Sequence, residues 1–344
     1  MPESTYSEVE NVLTQYNLKA KKITPETLKG KKAVWWIDTA SQKFILKKVP
    51  LAKDRFLFLL SAIRHLRNNE IHLPKIHQAR NGKYFVEENA QIYILMEALS
   101  GKVPDYKVPQ ELALIMKEMA RFHRASKKFA PPSSAKIRQH LGTWKKRYKE
   151  TAINLENFKK IAQFKPERDF NKRYLANCDY FMNEARNCLE LLQHSGYDNW
   201  VEKIRQEVCL CHQDFAAGNL GLVKGKLYIY DLDSITFDLP ARDLRKIFNK
   251  VMKKRGAWDL NLTKQMLSSY QKIMPLTREE YDVLFIDLRF PHLFYGITSK
   301  YFQNRSDEWS PAKHLSKLIN IIEVEKTKTD VLNQKEEILS SIGL

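Results

Sequence analysis

Residues 208–235 interrupt a long helical stretch with two short apolar strands, and the loops at the strand ends hold the chain's most informative set of chemistry-bearing side chains. Val208 to Cys211 reads as one strand and leads into a loop carrying His212, Asp214 and Asn219. A hairpin follows with Lys224-Gly-Lys226 at its tip, and a second apolar strand ends at Asp231, with Asp233 two residues on. The hairpin brings Asn219 and Asp231 together, and oxygen donors of this kind suit Mg²⁺, which keeps waters and phosphate oxygens in its shell. Asp214 is an acid beside them that is not needed as a metal ligand. It is placed to accept a proton from a hydroxyl group.

The surrounding chain is too long for one small core: 344 residues suit two packed lobes. Its first hundred residues read as a small sheet with one helix. Ala33-Val-Trp-Trp-Ile37 and Phe44-Ile-Leu-Lys-Lys-Val49 are β-branched and aromatic strands joined by a turn at Thr39-Ala-Ser-Gln42. Phe56, Leu59, Leu60, Ile63 and Leu66 then recur at helical spacing up to about Asn69. His77 to Val86 reads as strand, Asn-Gly turn, strand, and Ile92-Tyr-Ile-Leu-Met96 as a fully apolar strand. The expected order is strand, strand, helix, strand, strand, strand, an α+β lobe with an antiparallel sheet. After Gly101 the period becomes helical. Pro109 suits the first turn of a helix whose stripe runs Leu112, Ile115, Met116, Met119, Phe122 and His123. Helices are expected again from 136 to 207 and from 241 onward.

The formal charge is +18, and it is local. Residues 121–173 carry a net +12 and residues 242–255 a net +6, while the rest balances to zero. Such segments point to an anionic partner. Nucleic acid ranks low, because neither a recognition motif nor an aromatic single-strand platform is present. No uncharged run approaches the ~18 residues of a membrane span, and the polar, acidic opening residues lead us to expect no secretory leader. Cys209 and Cys211 fall on one face of a strand and read as buried packing residues, with no structural metal cluster expected from the four cysteines.

The spacing His212-x-Asp214-x-x-x-x-Asn219, followed by Ile229-x-Asp231, resembles the catalytic and metal loops of the protein-kinase-like superfamily, above all its aminoglycoside phosphotransferase and choline kinase branch. Outlying segments match in order from about residue 28 to 300. Phe44-Ile-Leu-Lys47 resembles the strand with the phosphate-pairing lysine, and Leu95-Met-Glu-Ala-Leu-Ser-Gly101 the hinge that meets adenine. Met119-Ala-Arg-Phe-His123 and Asp238-Leu-Pro-Ala-Arg-Asp-Leu244 match further family segments. With Leu141-Gly-Thr-Trp-Lys145 and a basic helical insert, the chain is similar in particular to the CotS-type spore-coat proteins of spore-forming bacilli.

That resemblance implies a protein-kinase-like two-lobe fold, with a nucleotide lobe over 1–98 and a mostly helical lobe over 99–344. A helical acceptor-side insert would span about 105–207. It implies ATP and Mg²⁺ as cofactors. Lys47, Met96, Glu97, Leu99 and Gly30 would bind nucleotide, Asn219, Asp231 and Asp233 metal, and Asp214 and His212 would serve catalysis, His212 as the organiser of its loop. The implied function is phosphotransfer to a hydroxyl of a small hydroxylated or acidic acceptor. The alternative is a catalytically silent coat protein that binds acidic coat partners. Synthesis in the mother-cell cytoplasm and residence in the spore coat follow from the resemblance. Lys145, Lys146 and Lys149 are the expected anion contacts of the insert.

Three positions depart from the family's pattern. The first loop, Lys29-Gly-Lys-Lys-Ala-Val34, has one glycine, so Lys31 or Lys32 would have to substitute by charge. No acid lies between Arg55 and Asn69 to hold Lys47, and Leu59 stands at about the expected place. Gln213 replaces the glycine beside His212.

Overall fold

A computed structural model describes residues 3–29, 32–306 and 308–344. The chain opens with α1 (Glu3–Gln15), β1 (Lys22–Lys29), β2 (Lys32–Asp38), β3 (Lys43–Val49), α2 (Lys53–Asn68), β4 (Val86–Glu88) and β5 (Gln91–Glu97). Five helices follow: α3 (Pro109–Ala125), α4 (Trp144–Gln163), α5 (Asp169–Leu175), α6 (Cys178–Gln193) and α7 (Tyr197–Glu207). Then come β6 (Leu210–Cys211), the hairpin β7 (Leu220–Val223) and β8 (Lys226–Ile229), and β9 (Thr236–Phe237). The chain closes with α8 (Ala241–Arg255), α9 (Leu260–Gln271), α10 (Arg278–Arg289), α11 (His292–Phe302), α12 (Pro311–Leu332) and α13 (Lys335–Ser340). No helix among the described residues is long and apolar enough to cross a membrane.

Two compact units divide these elements. The first comprises residues 1–104, 129–138 and 217–233; the second comprises 105–128, 139–216 and 234–344. The chain therefore passes between units several times. In the first unit an antiparallel sheet runs in the order β1-β2-β3-β5-β4. Alternation along β2 buries Ala33, Trp35 and Ile37 on one face, and Phe44 and Leu46 of β3 join them. The opposite parity puts Lys47 on the other face of β3.

The sheet's apolar face is covered by α1, whose Val9, Val12, Leu13 and Tyr16 are buried in the same cluster. Their spacing is helical, but four apolar residues in a polar context make a weak signal in the sequence. The signal of β1 is masked by Pro25. Pro25 is tolerated because β1 is an edge strand with a register shift between Pro25 and Thr27. The expected strands over 77–86 are corrected. The Asn81-Gly82 turn is present, with Gly82 at φ 76, but only Val86–Glu88 pairs as a strand. Ile76, just before this segment, makes a single bridge to Met96, and residues 77–85 form no ladder.

In the second unit α4 packs on α6 and α3 on α9. The two-stranded β6–β9 pair lies between helices, and the Leu210 amide donates to Ser126 Oγ of the segment after α3 at 3.0 Å. The four cysteines are buried thiols.

Leu13 is 2% exposed, so Leu13→Ala should cost about 2–4 kcal/mol in urea unfolding, through lost burial and the cavity left behind. The exposed neighbour Glu10→Ala should leave the midpoint unchanged. Equal, small effects at both positions would show that α1 does not hold the sheet.

Candidate functional site

In the first unit, β3 carries Lys47 into a cluster of charges. Its side chain is 8% exposed, and its ammonium donates to Asp231 Oδ1 at 2.9 Å and Asp233 Oδ1 at 2.6 Å. Lys32, at the start of β2, donates to Asp231 Oδ2 at 2.9 Å and lies 3.5 Å from Asp233 Oδ2. Two cations and two carboxylates thus form one ring. The helix acid missing from α2 is replaced, as Lys47's partner, by Asp231 and Asp233. Lys48 points to the other face and pairs with Glu8 of α1 at 3.4 Å.

The hairpin positions the acids. β7 and β8 pair Leu220 with Ile229, and the Tyr230 amide donates to the Asn219 carbonyl at 2.8 Å, so Asn219 and Asp231 leave the same end of the ladder. Asp231 adopts φ 55, the left-handed region. The hairpin needs glycine at 221, where an added Cβ would sit 2.4 Å from Tyr230 Oη. Burial works against ionising Asp231, but the charge of Lys47 and the bond and charge of Lys32 hold its carboxyl well below the usual range. Asp231 in turn raises Lys32 above the usual lysine value, against the cost of burial.

This donor set fits a divalent cation. Asp233 Oδ2 is buried and accepts no hydrogen bond, Asp231 brings two further hard oxygens, and the Asn219 backbone meets Tyr230 at the same hairpin end. Lys32 and Lys47 are two cations of the kind that phosphate oxygens require. Gly30 and Lys31 lie outside the described residues. Of the hinge positions, Met96 and Glu97 end β5. The Glu97 amide donates to the Lys75 carbonyl at 2.8 Å and Met96 pairs with Ile45 of β3, which leaves the half-buried Leu99 further along the segment.

In the second unit, β6 delivers the 212–214 loop, and α8 holds it. Asp243, fully buried, accepts from the His212 amide at 2.6 Å, the Gln213 amide at 2.9 Å and His123 Nε2 at 3.3 Å. Gln213 adopts φ 75, the conformation for which glycine is favoured, and Asp243 stabilises it there. His212 is buried, and its Nδ1 accepts from the Asp214 amide at 3.2 Å. It orients the loop rather than presenting a base to solvent. Asp214 is half exposed and paired with Lys250. No motif in the sequence marks that lysine. Arg242, Lys246 and Lys250 recur every four residues, a single stripe on α8, and that spacing was the available signal.

Behind the loop, His123 Nδ1 lies 2.8 Å from the Tyr270 hydroxyl. The donor atoms of His123, Cys209 and Cys211 lie within 4.8 Å of one another, but both nitrogens of His123 already have Tyr270 and Asp243 as partners. Burial opposes protonation of His123, yet the bond to Asp243 prevails and raises it to about 9.

Residues 9–335 match the family described as spore coat putative kinase YutH, and the chain belongs to that family. It is 31% identical over 334 residues to spore coat protein S of Bacillus subtilis, covering 97% of this chain and 95% of that protein. It is 22% identical over 231 residues to the endospore coat-associated protein YutH of the same organism, covering 67% and 64%. Among solved structures, an aminoglycoside phosphotransferase from Alicyclobacillus acidocaldarius superposes with a TM-score of 0.80 at 17% identity, covering 96% of both chains. A spectinomycin phosphotransferase in complex with ADP and spectinomycin gives 0.66 at 13% identity, covering 96% and 98%. The fold is therefore the kinase-like fold of the aminoglycoside phosphotransferases.

The raised His123 fixes the sign of a pH effect. Its stabilisation is fully present below about 6.5 and is lost as pH rises through about 9. The stability gap between the wild type and His123→Gln should thus shrink by about 2–3 kcal/mol between pH 6.5 and 10, measured by urea unfolding. A gap independent of pH would mean that His123 stays neutral in the fold.

Proposed function

We propose that this spore-coat family member is an ATP- and Mg²⁺-dependent phosphotransferase acting on a hydroxyl of a small molecule. The observation that carries this reading is the ring of Lys32, Lys47, Asp231 and Asp233, in which a buried carboxylate oxygen of Asp233 has no hydrogen bond. The charges of the cluster balance, but Asp233 Oδ2 has only Lys32 at 3.5 Å, so an acid oxygen remains to offer a cation. The lysines turn to phosphate oxygens, and the acids turn to a cation.

In this reading Asn219, Asp231 and Asp233 hold Mg²⁺, which would offset charge on the phosphates. Lys47 binds the α- and β-phosphates. Lys32 supplies by charge what the glycine-poor first loop cannot supply through backbone amides. Asp214 orients the acceptor hydroxyl and takes its proton, while His212 and Asp243 keep the loop in its strained conformation. The hydroxyl oxygen bonds to the γ-phosphorus, the bond from that phosphorus to the ADP oxygen breaks, and the proton leaves through Asp214. Met96, Glu97 and Leu99 form the adenine side, and Gly30, outside the described residues, is the remaining nucleotide contact expected from the sequence. The family relationship supports residence in the spore coat and contact with coat proteins.

Isothermal titration of the full chain with ATP and Mg²⁺ tests this reading. Binding should be lost in Asp231→Asn and weakened about tenfold in Lys32→Ala, the effect of removing one charge-assisted bond. No heat of binding at millimolar ATP would contradict it.

A further inference from the structure

The second unit contains a cavity of about 460 Å³ between α4, α8 and the α10–α11 corner. Its charge is unusual. Arg147, Arg242, Arg245 and Lys246 all line it, against only Glu150 and Asp287. Arg242 pairs with Asp238 and Arg245 with Asp287, while among the described residues no carboxylate pairs with Lys246. Asp287 already accepts from Tyr148 at 2.6 Å, contacts His292 Nε2 at 2.7 Å and accepts from Arg245 Nε at 3.3 Å. Glu150 is exposed on α4 and lies 3.9 Å from Lys146. His292 adds no negative charge, and burial followed by the charge of Arg245 lowers it to about 4, so it is neutral.

Lys246 is the telling residue. Its ammonium donates to the backbone carbonyl of Gln213, and among the described residues it makes no ion pair with a carboxylate. Burial, then Arg245 and Arg242, lowers it to about 8. Arg242 also reaches the loop, donating from Nε to Gln213 Oε1 at 2.6 Å while its other end pairs with Asp238 at 3.2 Å. The cavity's cationic wall is therefore bonded to the residue immediately before Asp214. None of Lys145, Lys146 and Lys149, the lysines expected from the sequence to meet an anion, lines the cavity; Lys145 pairs with Asp198 at 2.6 Å and Lys146 with Glu150. From α4 it is Arg147 that faces the cavity.

We propose that this cavity seats an anionic acceptor, a small hydroxylated compound whose phosphate or carboxylate group lies between Arg147 and Lys246 while its hydroxyl is presented to Asp214. The inference rests on the phosphotransfer reading for the fate of that hydroxyl, and on the cavity alone for the anion. An acceptor with an ammonium group would add a cation beside Arg147 and Lys246 and is rejected. A carboxylate or phosphate supplies the counter-charge that Lys246 lacks, and forked guanidinium groups suit both. The walls add Trp144, Tyr148 and Phe290, the last two stacked at 3.7 Å, as apolar surface for a carbon skeleton.

Ligand-observed NMR on the full chain, with glucose 6-phosphate, gluconate, glucose and glucosamine as probes, tests the assignment. Glucose 6-phosphate or gluconate should bind, and glucose and glucosamine should not. Arg147→Gln and Lys246→Gln should each weaken that binding about tenfold, and Lys246→Arg should retain it. These positions are chosen because Arg242 and Arg245 pair with buried acids and their loss endangers the fold; thermal unfolding confirms that each variant is intact. ATP·Mg²⁺ affinity, read separately, should be unchanged in the variants. Binding of glucosamine or glucose as tight as that of the anions, or no binding by either anion, would overturn the proposal even where ATP binds. An equal fall in ATP affinity in the variants would also overturn it. Anion binding without ATP binding would uphold the seat and remove the phosphotransfer reading alone.

Discussion

A lysine buried on the face of a sheet must find negative charge, and in this chain Lys47 finds it in Asp231 and Asp233. Much of the first unit follows from that demand. The β7–β8 hairpin has to end where the acids meet the β3 face. Gly221 and Gly101 let the hairpin approach closely, the Cβ of a residue at 101 falling 3.1 Å from the Gly221 backbone. The bridge between Lys102 and Leu222 locks that approach. Lys32 completes the charge balance from β2. Lys47 meets no acid from α2 and pairs instead with the two acids at the hairpin end.

The second unit is organised around a different buried charge. Asp243 holds two successive amides and an imidazole, which keeps Gln213 in a backbone conformation that a side chain disfavours. Asp214 is consequently presented on a loop that is fixed from behind and open in front. The stripe of Arg242, Lys246 and Lys250 on α8 then supplies positive charge along that loop. The local charge excess of 242–255 thus serves the loop as well as solubility.

Much of this was legible in the sequence because its signals are local. Trp35, Ile37, Phe44 and Leu46 alternate as strands must, and the 212–231 spacing is intact although Gln213 stands for the glycine beside His212. What escaped was set by tertiary context. The helix α1 shows only Val9, Val12, Leu13 and Tyr16 to a core that the sequence cannot display, and Pro25 conceals a strand that is stable only at an edge. The partner of Lys47 lies more than 180 residues away, so the missing helix acid read as a loss rather than an exchange. The basic segments were visible, but whether Lys145 or Arg147 faces a cavity depends on the rotation of α4, which Trp144, Tyr148 and Leu155 determine by burying.

The central claim is that Asp231 and Asp233 exchange Lys32 and Lys47 for a metal–nucleotide pair. Electron paramagnetic resonance of Mn²⁺, titrated into the full chain with and without a non-hydrolysable ATP analogue, tests it most directly. The account predicts that the free Mn²⁺ signal is quenched further by protein plus nucleotide than by nucleotide alone, and that Asp233→Asn removes the difference. A spectrum of Mn²⁺ with nucleotide that the protein leaves unaltered would contradict it.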